Sequence, residues 1–223
     1  MKAIPVKKRI EVSKTFWGEE VVGSNILLDP TGMFFSYLEI NNQLINVTRG
    51  WFRKGVVNIS EDKVFNKWTI LTCMQGVQIA DCIRVLVDKN RHMMLLGFAG
   101  GINNVDIGDI VLCDTVLSRN LSESYTLSTD DKIQNEICRG TVASTDSMLS
   151  ETEELVLSLT ESGVVAVDLE SFTFAMHTNN NVASNGVVLL ITDRPQDKPF
   201  YTNPLSSDGY RMGIHKVINL PTK

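Results

Sequence analysis

The sequence predicts an α/β protein with a three-layer α/β/α arrangement, in which helices cover both sides of a central mixed, largely parallel sheet. Three observations predict it. Continuous apolar runs of strand length recur at residues 68–73, 93–98, 110–113, 164–167 and 187–191, as expected of strands buried on both faces. Apolar residues at helical spacing lie between several of these runs, as in Ile79, Ile83, Leu86 and Val87. Turn formers such as Gly76, Gly100-Gly101 and Pro195 stand at or just beyond the ends of the runs.

Taken in order, residues 1–68 carry short apolar stretches, Ile26-Leu27-Leu28, Phe34-Phe35 and Leu44-Ile45. Asp29-Pro30-Thr31-Gly32 and Asn41-Asn42 separate them, which reads as strands and hairpins. The run at 68–73 leads through Met74-Gln75-Gly76 into the first helical stripe, and the run at 93–98 closes on Ala99-Gly100-Gly101. Gly108-Asp109 opens the next strand, and Thr141-Val142-Ala143 forms the end of another. Ser150-Glu151-Thr152-Glu153 reads as a capping box, with Leu155 and Leu159 as the buried stripe and Gly163 as the stop. After the strand at 164–167, Leu169 begins a helix with Phe172 and Met176 on one face. Thr192-Asp193-Arg194-Pro195 breaks the last strand. No repeat or Pro/Ser-rich linker divides the chain, so residues 1–223 read as one domain, with 1–68 its least legible part.

Composition narrows the function. An apolar fraction of 43% with 21% charged residues is that of a globular protein rather than a disordered one. The net charge of −5 supplies no global attraction to nucleic acid or anionic membrane, and Lys7-Lys8-Arg9 is too short a cluster to change that. With no secretory signal and no run of membrane-spanning length, the expected location is cytoplasmic. Cys73, Cys82, Cys113 and Cys138 are widely spaced within apolar segments, which reads as free thiols rather than a disulfide frame or a zinc site.

In open α/β sheets, ligands bind outside the carboxyl ends of the strands. That rule selects Met74-Gln75-Gly76, Phe98-Ala99-Gly100-Gly101, Ser144-Thr145-Asp146 and Thr192-Asp193, with Glu170 at the start of a helix just after a strand. Two carboxylates, Glu170 and Asp193, thereby project from strand ends. Each also has a plain structural use: Glu170 as a charge in a first helical turn, Asp193 as a turn former. His92, His177 and His215 are isolated, and no Walker, dinucleotide-binding or nucleophile-elbow pattern occurs.

The surrounding residues add a family resemblance. Leu96-Gly97-Phe98-Ala99-Gly100-Gly101, followed by Val105-Asp106-Ile107-Gly108-Asp109-Ile110-Val111, resembles a signature of the nucleoside phosphorylase superfamily. Ala143-Ser144-Thr145-Asp146-Ser147 is similar to its Ser-Gly-Asp segment, Val167-Asp168-Leu169-Glu170-Ser171 to its Val-Asp-Met-Glu motif, and Ile191-Thr192-Asp193 to its Ile-Ser-Asp motif. The four matches keep the family's order across residues 70–195. The resemblance implies cleavage of an N-glycosidic bond, with Glu170 holding ribose hydroxyls and Asp193 as the acid to the leaving purine. It places Met148 and Leu149 against the base and Leu169 beneath the sugar. It places Phe98, Ala99, Gly100 and Thr192 around them. It implies no cofactor, a small-molecule nucleoside as ligand, and a homo-oligomer (dimer, trimer or hexamer); no nucleic acid, membrane or metal enters.

The departures are chemical. Phe98 stands where the family usually carries a phosphate- or water-binding Ser or Thr. Met94 and Leu95, and again Leu189 and Leu190, stand where family members often carry an arginine. An anion site needs donors. Hydrolysis by a nucleosidase is therefore the first reading. A non-catalytic nucleoside binder or scaffold follows, and then a phosphorylase with phosphate as co-substrate held by Arg49, Arg53 or a neighbouring subunit.

Overall fold

The computed structural model describes residues 4–128 and 137–222. In chain order the helices are α1 Val6–Trp17, α2 Met33–Ile40, α3 Ile79–Leu86, α4 Glu153–Glu161, α5 Ser171–Thr178 and α6 Ser207–Ile218. The strands are β1 Asn25–Asp29, β2 Leu44–Arg49, β3 Arg53–Val57, β4 Thr69–Thr72, β5 His92–Gly101, β6 Ile110–Leu117, β7 Ser124–Thr126, β8 Cys138–Ser144, β9 Val164–Asp168 and β10 Ser184–Asp193.

The strands form one mixed sheet in the order β10-β6-β8-β9-β5-β1-β4-β3-β2, with β7 on β6 and a further pairing of β10 with β5. That last pairing closes β5, β10, β6, β8 and β9 into a ring. The run β4-β1-β5-β10 is parallel throughout, and β6, β8 and β9 pair in parallel. Antiparallel pairings lie at the β2–β3–β4 end and at the joints of the ring, β10–β6 and β5–β9.

Residues alternate between two cores along the central strands. Ile26, Leu28, Met93, Leu95, Val187, Leu189 and Ile191 pack with Phe16 and Trp17 of α1, Ile83 of α3 and Phe174 of α5. Leu27, Met94, Leu96, Val188 and Leu190 pack with Phe34 and Leu38 of α2 and Ile214 and Ile218 of α6. Helices therefore bury both faces of the sheet, which is why these strands lack a polar face in the sequence. Val156 and Leu159 of α4 close a smaller cluster with Ala143, Val164 and Val167. Cys73, Cys82 and Cys113 are buried and Cys138 is half-buried, all four as free thiols. None of the described helices is long and apolar enough to cross a membrane.

Several elements differ from the sequence reading. Phe34-Phe35 belongs to α2, not to a strand: Phe34, Phe35 and Leu38 are buried at helical spacing. Asp29 starts that helix by accepting the Gly32 and Phe35 backbone N–H groups, each at 2.8 Å. Helix α1 was likewise not legible as a helix. The N-cap of α4 is Thr152, whose hydroxyl accepts the Leu155 N–H, so Ser150-Glu151-Thr152-Glu153 is not a capping box. Ser150 instead closes a one-turn 3₁₀ helix, Met148–Ser150, capped by Ser147. Helix α5 begins at Ser171 rather than Leu169, and it buries Phe174 and Ala175 while Met176 is exposed.

Candidate active site

Because β1, β4, β5 and β10 are parallel, their carboxyl ends meet at one edge of the sheet, where a cavity of about 410 Å³ opens. β5 contributes Phe98, Ala99 and Gly100, and β10 contributes Thr192 and Asp193. The β10–β5 register slips between Ile191 and Asp193, so that Asp193 sits opposite Gly100. A bulge of this kind re-aims side chains at a strand end. β9 runs antiparallel to β5, with Val167 opposite Gly100, and delivers Asp168, Leu169 and Glu170 to the same place. Gly100 is required by close approach: a Cβ there would meet Pro195 at 3.0 Å and Val167 at 3.3 Å.

Glu170 is buried, and its Oε1 accepts the Gly76 N–H at 2.6 Å. That N–H is presented where the chain turns at φ +56°, the left-handed conformation that favours glycine. Burial raises the Glu170 pKa to about 7, with the neighbouring Asp168 adding to the shift and the Gly76 N–H opposing it. Asp168 is a structural carboxylate. It accepts the Ser144 hydroxyl at 2.6 Å, the Ser171 N–H at 2.9 Å and the Ser171 hydroxyl at 2.5 Å, and so caps α5. Burial also raises the pKa of Asp193, against the Thr192 hydroxyl 3.1 Å away and the Phe200 N–H. With Asp168 and Glu151, whose pKa values burial also raises, four carboxyls that hold protons more tightly than usual line one cavity.

The sequence-selected residues Phe98, Ala99, Gly100, Met148, Leu169, Glu170, Thr192 and Asp193 all line this cavity. Leu149 does not: it is 84% exposed and lies outside the lining. In a 3₁₀ turn, residues three apart eclipse, so the turn that aims Met148 at the cavity brings in Glu151 and sends Leu149 to solvent. Gln75, from a strand end the sequence also selected, joins the lining, whereas sequence reasoning missed Glu151, Phe200, Asn203 and Tyr210, and from the N-terminal part Thr31 and Met33. For Glu151 the available signal was Ser147 as a cap three residues ahead of Ser150. Phe98 packs its ring against Phe34 and Tyr210, with centroids 5.5 and 5.3 Å away.

Among the described residues, no Lys, Arg or His lines the cavity. Arg53 is engaged with the Gly32 carbonyl at 3.1 Å, the Ser36 hydroxyl at 3.0 Å and Glu39, bracing the loop that carries Thr31 and Met33. Arg49 pairs with Glu39 at the surface. Three backbone donors beside lining residues are engaged: Gly76 by Glu170, Ser171 by Asp168, and Phe172 by Ser144.

A family model described as the phosphorylase superfamily matches residues 63–203, which hold all but three of the cavity-lining positions. The chain belongs to the phosphorylase superfamily. Solved structures of similar fold agree with that membership. An AMP nucleosidase from Bacteroides thetaiotaomicron superposes with a TM-score of 0.69 at 16% identity, over 95% of this chain and 96% of its own. A uridine phosphorylase from Schistosoma mansoni gives 0.64 at 13%, over 87% and 84%. A 5′-methylthioadenosine/S-adenosylhomocysteine nucleosidase from S. pneumoniae gives 0.62 at 14%, over 87% and 96%. No curated protein matches the sequence. Within the superfamily, then, this chain keeps the fold, and its cavity at the sheet edge is lined by Phe98 and by no basic residue among those described.

Proposed function

We propose that the protein hydrolyses the N-glycosidic bond of a purine-type nucleoside. The observation that carries this reading is that Glu170 and Asp193 line one cavity, of a size suited to a small ligand. Glu170 has one oxygen fixed by the Gly76 N–H, leaving the other to receive ribose hydroxyls. Asp193, whose hold on a proton burial strengthens, is the acid that serves the departing base. As the C1–N bond breaks, its electron pair goes to the base and Asp193 protonates it. Water adds to the sugar carbon, and the proton it releases returns to the Asp193 carboxylate. Leu169 and Met148 provide apolar contact for sugar and base.

Water is favoured over phosphate because the described lining holds four carboxyls and no cation. Phe98 favours a second reading, a nucleoside binder without catalysis, because its ring occupies the place of a hydroxyl-bearing residue and packs into the Phe34–Tyr210 cluster. A chromatographic assay of nucleosides in phosphate-free buffer separates the two. Catalysis predicts free base from the wild type and a rate lower by ~10²–10⁴ in Asp193→Asn. Binding of a nucleoside with no base released from any substrate would establish the second reading instead.

A further inference from the structure

Glu151 is a cavity-lining carboxyl that the proposed proton transfer and sugar binding leave unused. It directly follows the Met148–Ser150 turn and points to the same side as Met148. Unlike Asp168, whose oxygens are filled by Ser144 and Ser171, its carboxyl has no hydrogen-bond partner among the described residues. The charged groups that face it are carboxyls. Asp193 acts on it most strongly and Asp168 next, while Glu170 and the Tyr210 hydroxyl share the cavity. Burial, followed by those two aspartates, raises its pKa to about 8, so it carries a proton at neutral pH. A protonated carboxyl sets an O–H donor beside a C=O acceptor.

We propose that Glu151 is the specificity-determining residue for the base, pairing with a base edge that sets an amino N–H beside a ring-nitrogen acceptor. This rests on the reading of Asp193 as the acid to the leaving base, since it is proximity to Asp193 that puts Glu151 at the base end of the cavity. An amino-bearing purine completes both hydrogen bonds. A purine lacking the amino group still takes the carboxyl proton on its ring nitrogen but leaves the carboxyl C=O without a donor in a partly desolvated site, which rejects it.

The test compares adenosine with purine riboside, which lacks the amino group, by kcat/KM and in parallel by Kd from calorimetry. At pH 6.5 the wild type should prefer adenosine by about 10- to 100-fold. The preference should rise as pH passes about 8, where the carboxylate still accepts the amino N–H of adenosine but no longer donates to the ring nitrogen that both purines share. Glu151→Gln keeps a donor beside an acceptor but has no proton to lose, so its preference should persist without that pH dependence. Glu151→Ala should bring the two substrates to within about threefold. An Ala variant as selective as the wild type, a Gln variant with the wild-type pH dependence, or binding of neither nucleoside would overturn the proposal. If no base is released from any substrate, hydrolysis fails as a reading, while the Kd ratios and their dependence on Glu151 still decide the role of this residue.

Discussion

Asp168 and Glu170 lie two residues apart at the end of β9, yet the fold gives them different tasks. Asp168 is saturated by donors from Ser144 and Ser171 and fixes the start of α5, whereas Glu170 takes a single backbone N–H and otherwise faces the cavity. Asp168→Ala removes a cap and strands buried hydroxyls, so it should destabilise the protein by about 2–3 kcal/mol, measured as a shift of the urea midpoint. A shift near zero would remove Asp168 from its structural role. At this scale the sequence was informative about Glu170 and Asp193, because strand ends of an α/β sheet are the places where side chains converge. It was uninformative about Glu151 and Leu149. Their placement depends on a single 3₁₀ turn, whose eclipsed three-residue spacing leaves no periodic trace in so short a segment.

Strands buried on both faces were legible as elements because continuous apolar runs of four to six residues in this chain have one structural explanation once turn formers bound them. Helices α1, α2 and α6 were harder. The apolar pair Phe34-Phe35 looks the same in a short strand as in a helix until Leu38 is counted with it, and α2 spans only eight residues. Helix α1 buries only Ser13, Phe16 and Trp17, all in its second half, so its first half offers no apolar stripe. The start of α4 was misplaced because Ser150 and Thr152 can each cap a helix chemically, and only the preceding turn selects Thr152. Cap deletions distinguish the two. Thr152→Ala should cost about 1 kcal/mol in chemical denaturation, and Ser150→Ala less than half of that. Equal losses, or the reverse order, would contradict the assignment of Thr152 as the cap.

Across the whole molecule, closure of β5, β10, β6, β8 and β9 brings strand ends of both directions to one edge and gathers carboxyls there without a lining cation among the described residues. This arrangement makes stability depend on pH. Glu151 and Glu170 titrate near 8 and 7 when folded, against an ordinary 4.5, and the fully buried Asp29 near 6 against 3.8. The folded state therefore binds more protons than the unfolded chain between about pH 4 and 8. The stability these groups contribute is fully present below that window and is lost as pH rises through it. Between pH 8 and pH 6 the melting temperature should rise by about 3–6 °C, and it should flatten in a Glu151→Gln, Glu170→Gln double variant. A melting temperature that increases with pH would contradict this. The central claim is that water, not phosphate, completes cleavage in this cavity, and the most direct measurement is the rate of base release as phosphate is titrated from none to tens of millimolar. We predict base release without phosphate at a rate that added phosphate leaves unchanged. A rate that is zero without phosphate and grows in proportion to it would show that an anion site exists where the described lining offers carboxyls and no cation, and would contradict the account.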